Sequence, residues 1–390
     1  MERSESLLSS FEKTLCRAFV FLGGIALVMA FYKTPQRAWA NILIDNFYFL
    51  SLSLSATIFI AALYLTKAGW AIGFRRIPEA VTAYLPYGAA IAVLSLFAGI
   101  KSIYFWASPP GSLDPIVIAK SIFLNWRALV SVSIVAVSLW IYLARKLVAN
   151  SRIQDEERGM IRTGKNRRWA ALFLVVFALS YSLVAIYWVM SLEPLWYSTL
   201  YPWFIFAGMF VHGIAMTTIL LLWLKKKKFY QDIGSAHFHD LGKMLFAFSI
   251  FWTYLWFSQY ILIWYENIPE EVTHYALRSM GPWSFVFWPN LIINFILPFL
   301  ILLSVAGKKN PKTLLLAALI VAFGHWIDLY LLVMPPLEKA GPIYGLPEFL
   351  IFGGFAAVFV LIFERAFRQA KPYPVGDPLL KESLSLHDSP

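Results

Sequence analysis

The sequence predicts an all-α integral membrane protein of ten transmembrane helices, arranged as two four-helix bundles with two flanking helices. Three observations carry this. Of the 390 residues, 59% are hydrophobic and 17% aromatic, with mean hydropathy +0.65, beyond the range of soluble domains. Apolar runs of about 20 residues, enough to cross about 30 Å of hydrocarbon, recur along the whole chain. Lys and Arg gather in alternate connections between these runs.

In chain order the runs lie near 15–32, 41–65, 79–100, 126–145, 169–190, 199–224, 241–265, 283–304, 313–334 and 346–364. The first follows charged residues but ends in Phe31-Tyr32-Lys33 without a small-residue cleavage site, so it reads as a retained helix. The charged stretch 146–168 is expected to be the longest loop, and Ser191-Leu192-Glu193-Pro194-Leu195-Trp196 the joint between spans five and six. Spans two to five and six to nine then form the up-down bundles, dividing the chain into 1–34, 35–190, 191–334 and 335–390. The tail from Pro372 to Pro390, rich in Pro, Ser and Leu with mixed charges, reads as an exposed arm that binds a partner or stays disordered.

An even number of spans puts both termini on one side. On that side lie 26 of the 33 Lys and Arg residues, among them Arg3, Arg75, Arg76 and Lys225 to Lys228. The positive-inside rule therefore places both termini in the cytoplasm. The net charge of +11 follows from this topology and from attraction to lipid headgroups, and no nucleic-acid partner is implied.

Cys16 is the only cysteine. One thiol holds neither an iron–sulfur cluster nor a Cys-rich zinc ion, and no C-x-x-C-H attaches haem covalently. No phosphate-binding or dinucleotide-binding glycine pattern is present. The expectation is a chain with no cofactor of its own, so that redox chemistry requires metal centres on other polypeptides.

Residues 237–271, HFHDLGKMLFAFSIFWTYLWFSQYILIWYENIPEE, place ionisable groups at both ends of span seven and polar groups inside it. From Lys243 to Glu266 such a helix rises roughly 35 Å. His237, His239, Asp240 and Lys243 crowd one end as a proton intake mouth; the plainer account is that Asp240 caps the helix and Lys243 snorkels to water. Tyr254, Gln259 and Tyr260, with Tyr181 of span five, extend the path, the alternative being that the tyrosines are interfacial belt residues.

His212 lies about 20 Å from the outer end of span six and His325 about 20 Å from the inner end of span nine. Their depths differ by roughly 10 Å on this reading, which disfavours a b-haem held between them. His325 and Asp328 share one helical face, so that a carboxylate orients an imidazole as in a proton relay; the alternative is an ordinary interhelical contact. In span eight, Trp288-Pro289-Asn290 and Asn294 to Pro298 interrupt the helix ladder. Asp45, Arg127 and Glu348, at the outer starts of spans two, four and ten, are expected at the interface.

Residues 237–271, with SLEPLWYSTLYPWFIFAG at 191–208 and WPNLIINFILP at 288–298, resemble the NrfD/polysulfide-reductase membrane-subunit family, and within it the second, smaller NrfD-like subunit of alternative complex III. The resemblance spans nearly the whole chain. It implies two four-helix bundles, no cofactor in this chain, and a place in a bacterial plasma-membrane complex that oxidises quinol and passes electrons to cytochrome c or a terminal oxidase. The implied partners are a sister NrfD-like membrane subunit, an iron–sulfur subunit, and multihaem and monohaem cytochrome c subunits. The resemblance leaves open whether this chain or its sister holds the quinol. It carries over His237, His239, Asp240, Lys243, Tyr254 and Gln259 as proton-path residues, beside His212, His325 and Asp328 from the residues themselves. A secondary transporter and a structural anchor for soluble redox subunits stand as the alternatives.

Overall fold

A computed structural model describes residues 7–109, 111 and 113–386; Arg3 and the last four residues of the tail lie outside the described residues. Among these, ten helices are long and apolar enough to cross a membrane: α1 Ser10–Lys33, α2 Pro35–Thr66, α3 Ile72–Ile103, α4 Trp126–Glu157, α5 Met160–Leu192, α6 Tyr201–Lys226, α7 Ser235–Glu266, α8 Gly281–Leu302, α9 Pro311–Val333 and α10 Leu346–Phe367. No strand occurs among the described residues. The chain is a multi-pass membrane protein.

Local chemistry sets the helix ends. Ser9 and Glu12 form a reciprocal capping box at the start of α1. Asn125 and Asn310 cap α4 and α9, the latter with Pro311 in the first turn, where its missing N–H costs nothing. The stretch 146–168 is not a loop. α4 and α5 continue as helices through it and reverse at Arg158-Gly159, where φ is +49° and +102°. Glycine tolerates that backbone, and the helix formers on either side, with Arg162 bridging back to Glu157 at 2.6 Å, keep the flanking turns helical in water.

α2 and α6 are the most enclosed helices, with 83% of each apolar window buried, against 17% for α1. α2 packs on α3 and α5, and α4 on the same two helices; α6 packs on α7 and α9, as does α8. α2 also meets α6 and α9, while α1 and α10 pair with one another and lie on α2. Small residues permit a close crossing: a Cβ on Gly213 of α6 would stand 1.9 Å from Oγ of Ser55 on α2.

The tail is not a free arm in its described part. Tyr230 donates to the Pro372 carbonyl (2.9 Å), Arg75 donates to Asp377, and Ser383 donates to the Trp70 carbonyl (2.7 Å) while accepting from the Gly73 amide (2.9 Å). Its polar composition, which suggested exposure, matches a buried polar receptor made by Arg75, Arg76, Glu79 and Ser151. Two of the residues expected at the interface are also buried. Asp45 is 2% exposed and accepts from Trp326 Nε1 at 2.8 Å; Glu348 is 1% exposed and accepts from Arg37 Nε (2.6 Å) and Asn41 (3.2 Å). Each carboxylate finds a donor on a neighbouring helix, which removes the reason for it to reach water. Arg127 does stay exposed, over the Trp126 ring.

Candidate functional site: a buried histidine and aspartate cluster

α8 does not run straight. It carries Pro289, and a π turn over Ile292–Ile296 inserts an extra residue before Pro298 restarts the α geometry. This turns Asn290 and Asn294 inward, where Asn294 donates to the side-chain oxygen of Asn290 at 2.7 Å. Asn290 in turn donates to Oδ1 of Asp328 at 2.9 Å, and Trp252 Nε1 donates to Oδ2 at 3.3 Å. Gly324 makes room, since a Cβ there would stand 2.4 Å from Asn294 Oδ1.

His325, one turn before Asp328 on α9, lies with Nδ1 3.7 Å from Oδ2, beyond direct hydrogen-bond range. Its ring stands edge-on to Trp252, 5.3 Å between centroids, and its Nε2 is buried with no hydrogen-bond partner. An unpartnered buried nitrogen costs free energy unless it meets a water or another hydrogen-bond partner. The His212 ring is 5.9 Å from that of His325 and stacks on Tyr48 at 4.8 Å. Because a carbonyl only accepts, the His212 Nδ1 contact of 2.8 Å to the Gly208 oxygen assigns the proton to Nδ1. Nε2 faces a second carbonyl, that of Tyr48, at 3.4 Å. A proton arriving at Nε2 would therefore find an acceptor already in place.

The expected 10 Å offset between the two histidines is wrong. α6 and α9 run antiparallel, and helical side chains lean toward their own N-terminus, so the two imidazoles lean toward each other. The depth argument against a shared haem falls with it. Packing supplies another: the cavity lined by His212, His325, Asp328, Gly208 and Ser51 is about 10 Å³, room for roughly one water and far too small for a porphyrin or a quinol ring.

The span-seven residues divide. His237 is fully buried beneath the tail, with Nε2 3.4 Å from Ser383 Oγ and Nδ1 unpartnered. Asp240 and Lys243 pair with each other at 2.6 Å, with the lysine exposed, and His239 lies beside them, half-buried. Along the inward stripe of α7, Leu241 and Leu245 separate His237 from Ser249 and Trp252, a distance of roughly 20 Å along the helix. No polar side chain of α7 bridges it. Gln259 is buried beyond Trp252 with Nε2 unpartnered; Tyr254 points outward, 63% exposed. Tyr181 is buried with its hydroxyl unpartnered, and Tyr260 stacks on Trp256. The structure brings together His212, His325 and Asp328, and does not join them to His237, His239, Asp240 and Lys243.

Sequence reasoning missed Trp252, Tyr48, and the partnership of Asn290 and Asn294 with Asp328. The asparagines did leave a signal, an i,i+4 pair of amides inside an apolar span. It also missed a buried charged clamp less than a turn beyond Asp328 along α9, where Arg278 meets the Leu331 carbonyl. There Glu193, just after α5, accepts from Arg278 and from His274 Nδ1 (3.1 Å), both on the short helix Pro269–Ser279. Arg278 further donates to the Leu331 carbonyl (2.9 Å), and His274 stacks on Trp196 at 3.9 Å. Burial pushes the Glu193 carboxyl up, but Arg278 and His274 outweigh this and hold it at about 2.

Among the described residues no group of three or more His, Cys, Asp or Glu side chains is placed to hold a metal ion. No family model matches the sequence, and comparison with curated proteins finds no significant relative.

Proposed function

We propose that this chain is a membrane subunit of a quinol:electron-acceptor oxidoreductase of the alternative complex III type, in a bacterial plasma membrane, and that its own part is to conduct protons. In this reading both termini are cytoplasmic and the helices form two four-helix bundles, α2 to α5 and α6 to α9, flanked by α1 and α10. The pairwise packing described above supports that arrangement, as does the distribution of Lys and Arg. Iron–sulfur and haem centres reside on partner subunits.

The observation that carries the proposal is the meeting of His212, His325 and Asp328 inside the apolar interior. Oxidising a quinol releases protons as well as electrons, and a low-dielectric interior opposes moving that charge without titratable groups. Asp328 has its two carboxyl oxygens held by Asn290 and Trp252; His325 offers an unpartnered Nε2; His212 has a carbonyl facing each ring nitrogen. Broken helices also occur in secondary transporters, but space for about one water suits a proton and not a larger solute.

Purification from native membranes in mild detergent tests the assignment. Co-purification with iron–sulfur and multihaem polypeptides, together with haem absorbance and iron, is the expected result. Recovery of the chain alone and without iron sinks the redox-complex reading.

A further inference from the structure

A second cavity, of about 570 Å³, opens between α4 and α10 with α3 as its floor, remote from the histidine and aspartate cluster. On α4 its wall runs Ile141, Arg145, Val148 and Arg152 at three- and four-residue steps that keep one face inward, and on α10 it runs Ile362 and Arg365, with Gln369 just past the helix end. On both helices the apolar residue comes first and the arginines follow toward the chain end where Lys and Arg are concentrated. Leu85 and Pro86 of α3 continue the apolar floor.

The polar end is cationic and under-satisfied. Arg145 and Arg365 are exposed and make no ion pair among the described residues. Arg152 reaches across the gap to Gln369 (3.3 Å) and the Ala366 carbonyl (3.5 Å), long contacts that leave its buried Nε without a partner. The one carboxylate in the wall, Glu79, is already held by Arg75, Arg76 and Ser151.

We propose that this cleft binds one anionic phospholipid, its phosphate on Arg145, Arg152 and Arg365 and one of its two acyl chains along Leu85, Ile141 and Ile362. Guanidinium groups match phosphate oxygens in geometry as well as charge. Basic pockets between transmembrane helices at the headgroup level are suited to such lipids. The apolar floor chooses a lipid over free phosphate, which would leave that floor in water. The inference does not depend on the redox reading.

The test uses the full-length chain, stripped of lipid in detergent, with dioctanoyl phosphatidylglycerol, dioctanoyl phosphatidylcholine and inorganic phosphate as probes, read by native mass spectrometry and by the thermal midpoint. One retained phosphatidylglycerol and a raised midpoint are expected, with little effect from the other two probes. Arg145→Gln with Arg365→Gln should weaken phosphatidylglycerol about thirty-fold while the lipid-free midpoint stays unchanged. Arg365→Lys, which keeps the charge, should retain most of the binding. Equal affinity for phosphatidylcholine, indifference to the double substitution, or equal binding of inorganic phosphate would each overturn the proposal.

Discussion

Breaking the ion pair between Arg75 and Asp377 should release the tail, and the two halves of the pair should not cost the same. Arg75 is fully buried, donating to Asp377, to Glu79 (3.0 Å) and to Ser151 (3.0 Å). Asp377→Ala leaves Arg75 neutralised by Glu79, so the loss is that of one charged hydrogen bond, about 1.5–3 kcal/mol. Arg75→Gln leaves the Asp377 carboxylate, 2% exposed at its side chain, without its cation, and a broken buried pair costs about 3–5 kcal/mol. Trypsin cutting after Lys381 reports opening of the tail, because cleavage tracks the open population, whereas the Lys371–Pro372 bond resists the protease. Asp377→Ala should speed cleavage about ten- to hundred-fold, and Arg75→Gln more. Wild-type rates in both variants, or a faster rate in Asp377→Ala than in Arg75→Gln, would refute the reasoning.

Other expectations follow from the packing and the charged clamp. Gly213→Ala drives a methyl into Ser55 and should destabilise the contact of α2 with α6 by about 1–3 kcal/mol, with Ser55→Gly restoring it, as read from unfolding midpoints. Acid should unfold the end held by Glu193. Its carboxyl, at about 2 when folded against about 4.5 free, contributes stability present above pH 4.5 and lost as the pH falls toward 2, on the order of 3 kcal/mol. Burial and then Arg278 lower the His274 pKa, so the unfolded chain takes up that proton first and stability begins to fall below about pH 6.5. His274→Asn should flatten a midpoint-against-pH curve just below 6.5, and Glu193→Gln should flatten it below 4.5.

The helices were legible because a run of about 20 apolar residues has one inexpensive conformation in lipid, and the face shared by His325 and Asp328 follows from their three-residue spacing. What could not be read depended on partners distant in sequence. Asp45 waits for Trp326 and Glu348 for Arg37, so their burial is invisible to a local window. Asp377 and Ser383 look like residues of a loose arm until Arg75 and Trp70 are placed beside them. The neighbourhood of His212 and His325 was misjudged for a geometric reason, since depth was reckoned along each helix axis without the opposite lean of the two side chains. The stretch 146–168 was misread because charge was taken for a loop, whereas charged helix formers extend a helix beyond the bilayer.

The central claim is that Asp328 works with His325 and His212 to carry protons. In Asp328→Asn the new amide faces two donors, Asn290 Nδ2 and Trp252 Nε1, so one of them loses its acceptor at about 1–3 kcal/mol, too little to prevent assembly. The direct measurement is the number of protons moved per electron by the purified complex in sealed vesicles, wild type against Asp328→Asn. The account predicts an assembled variant whose proton movement falls at least about tenfold. An assembled variant with wild-type turnover and wild-type protons per electron would contradict it.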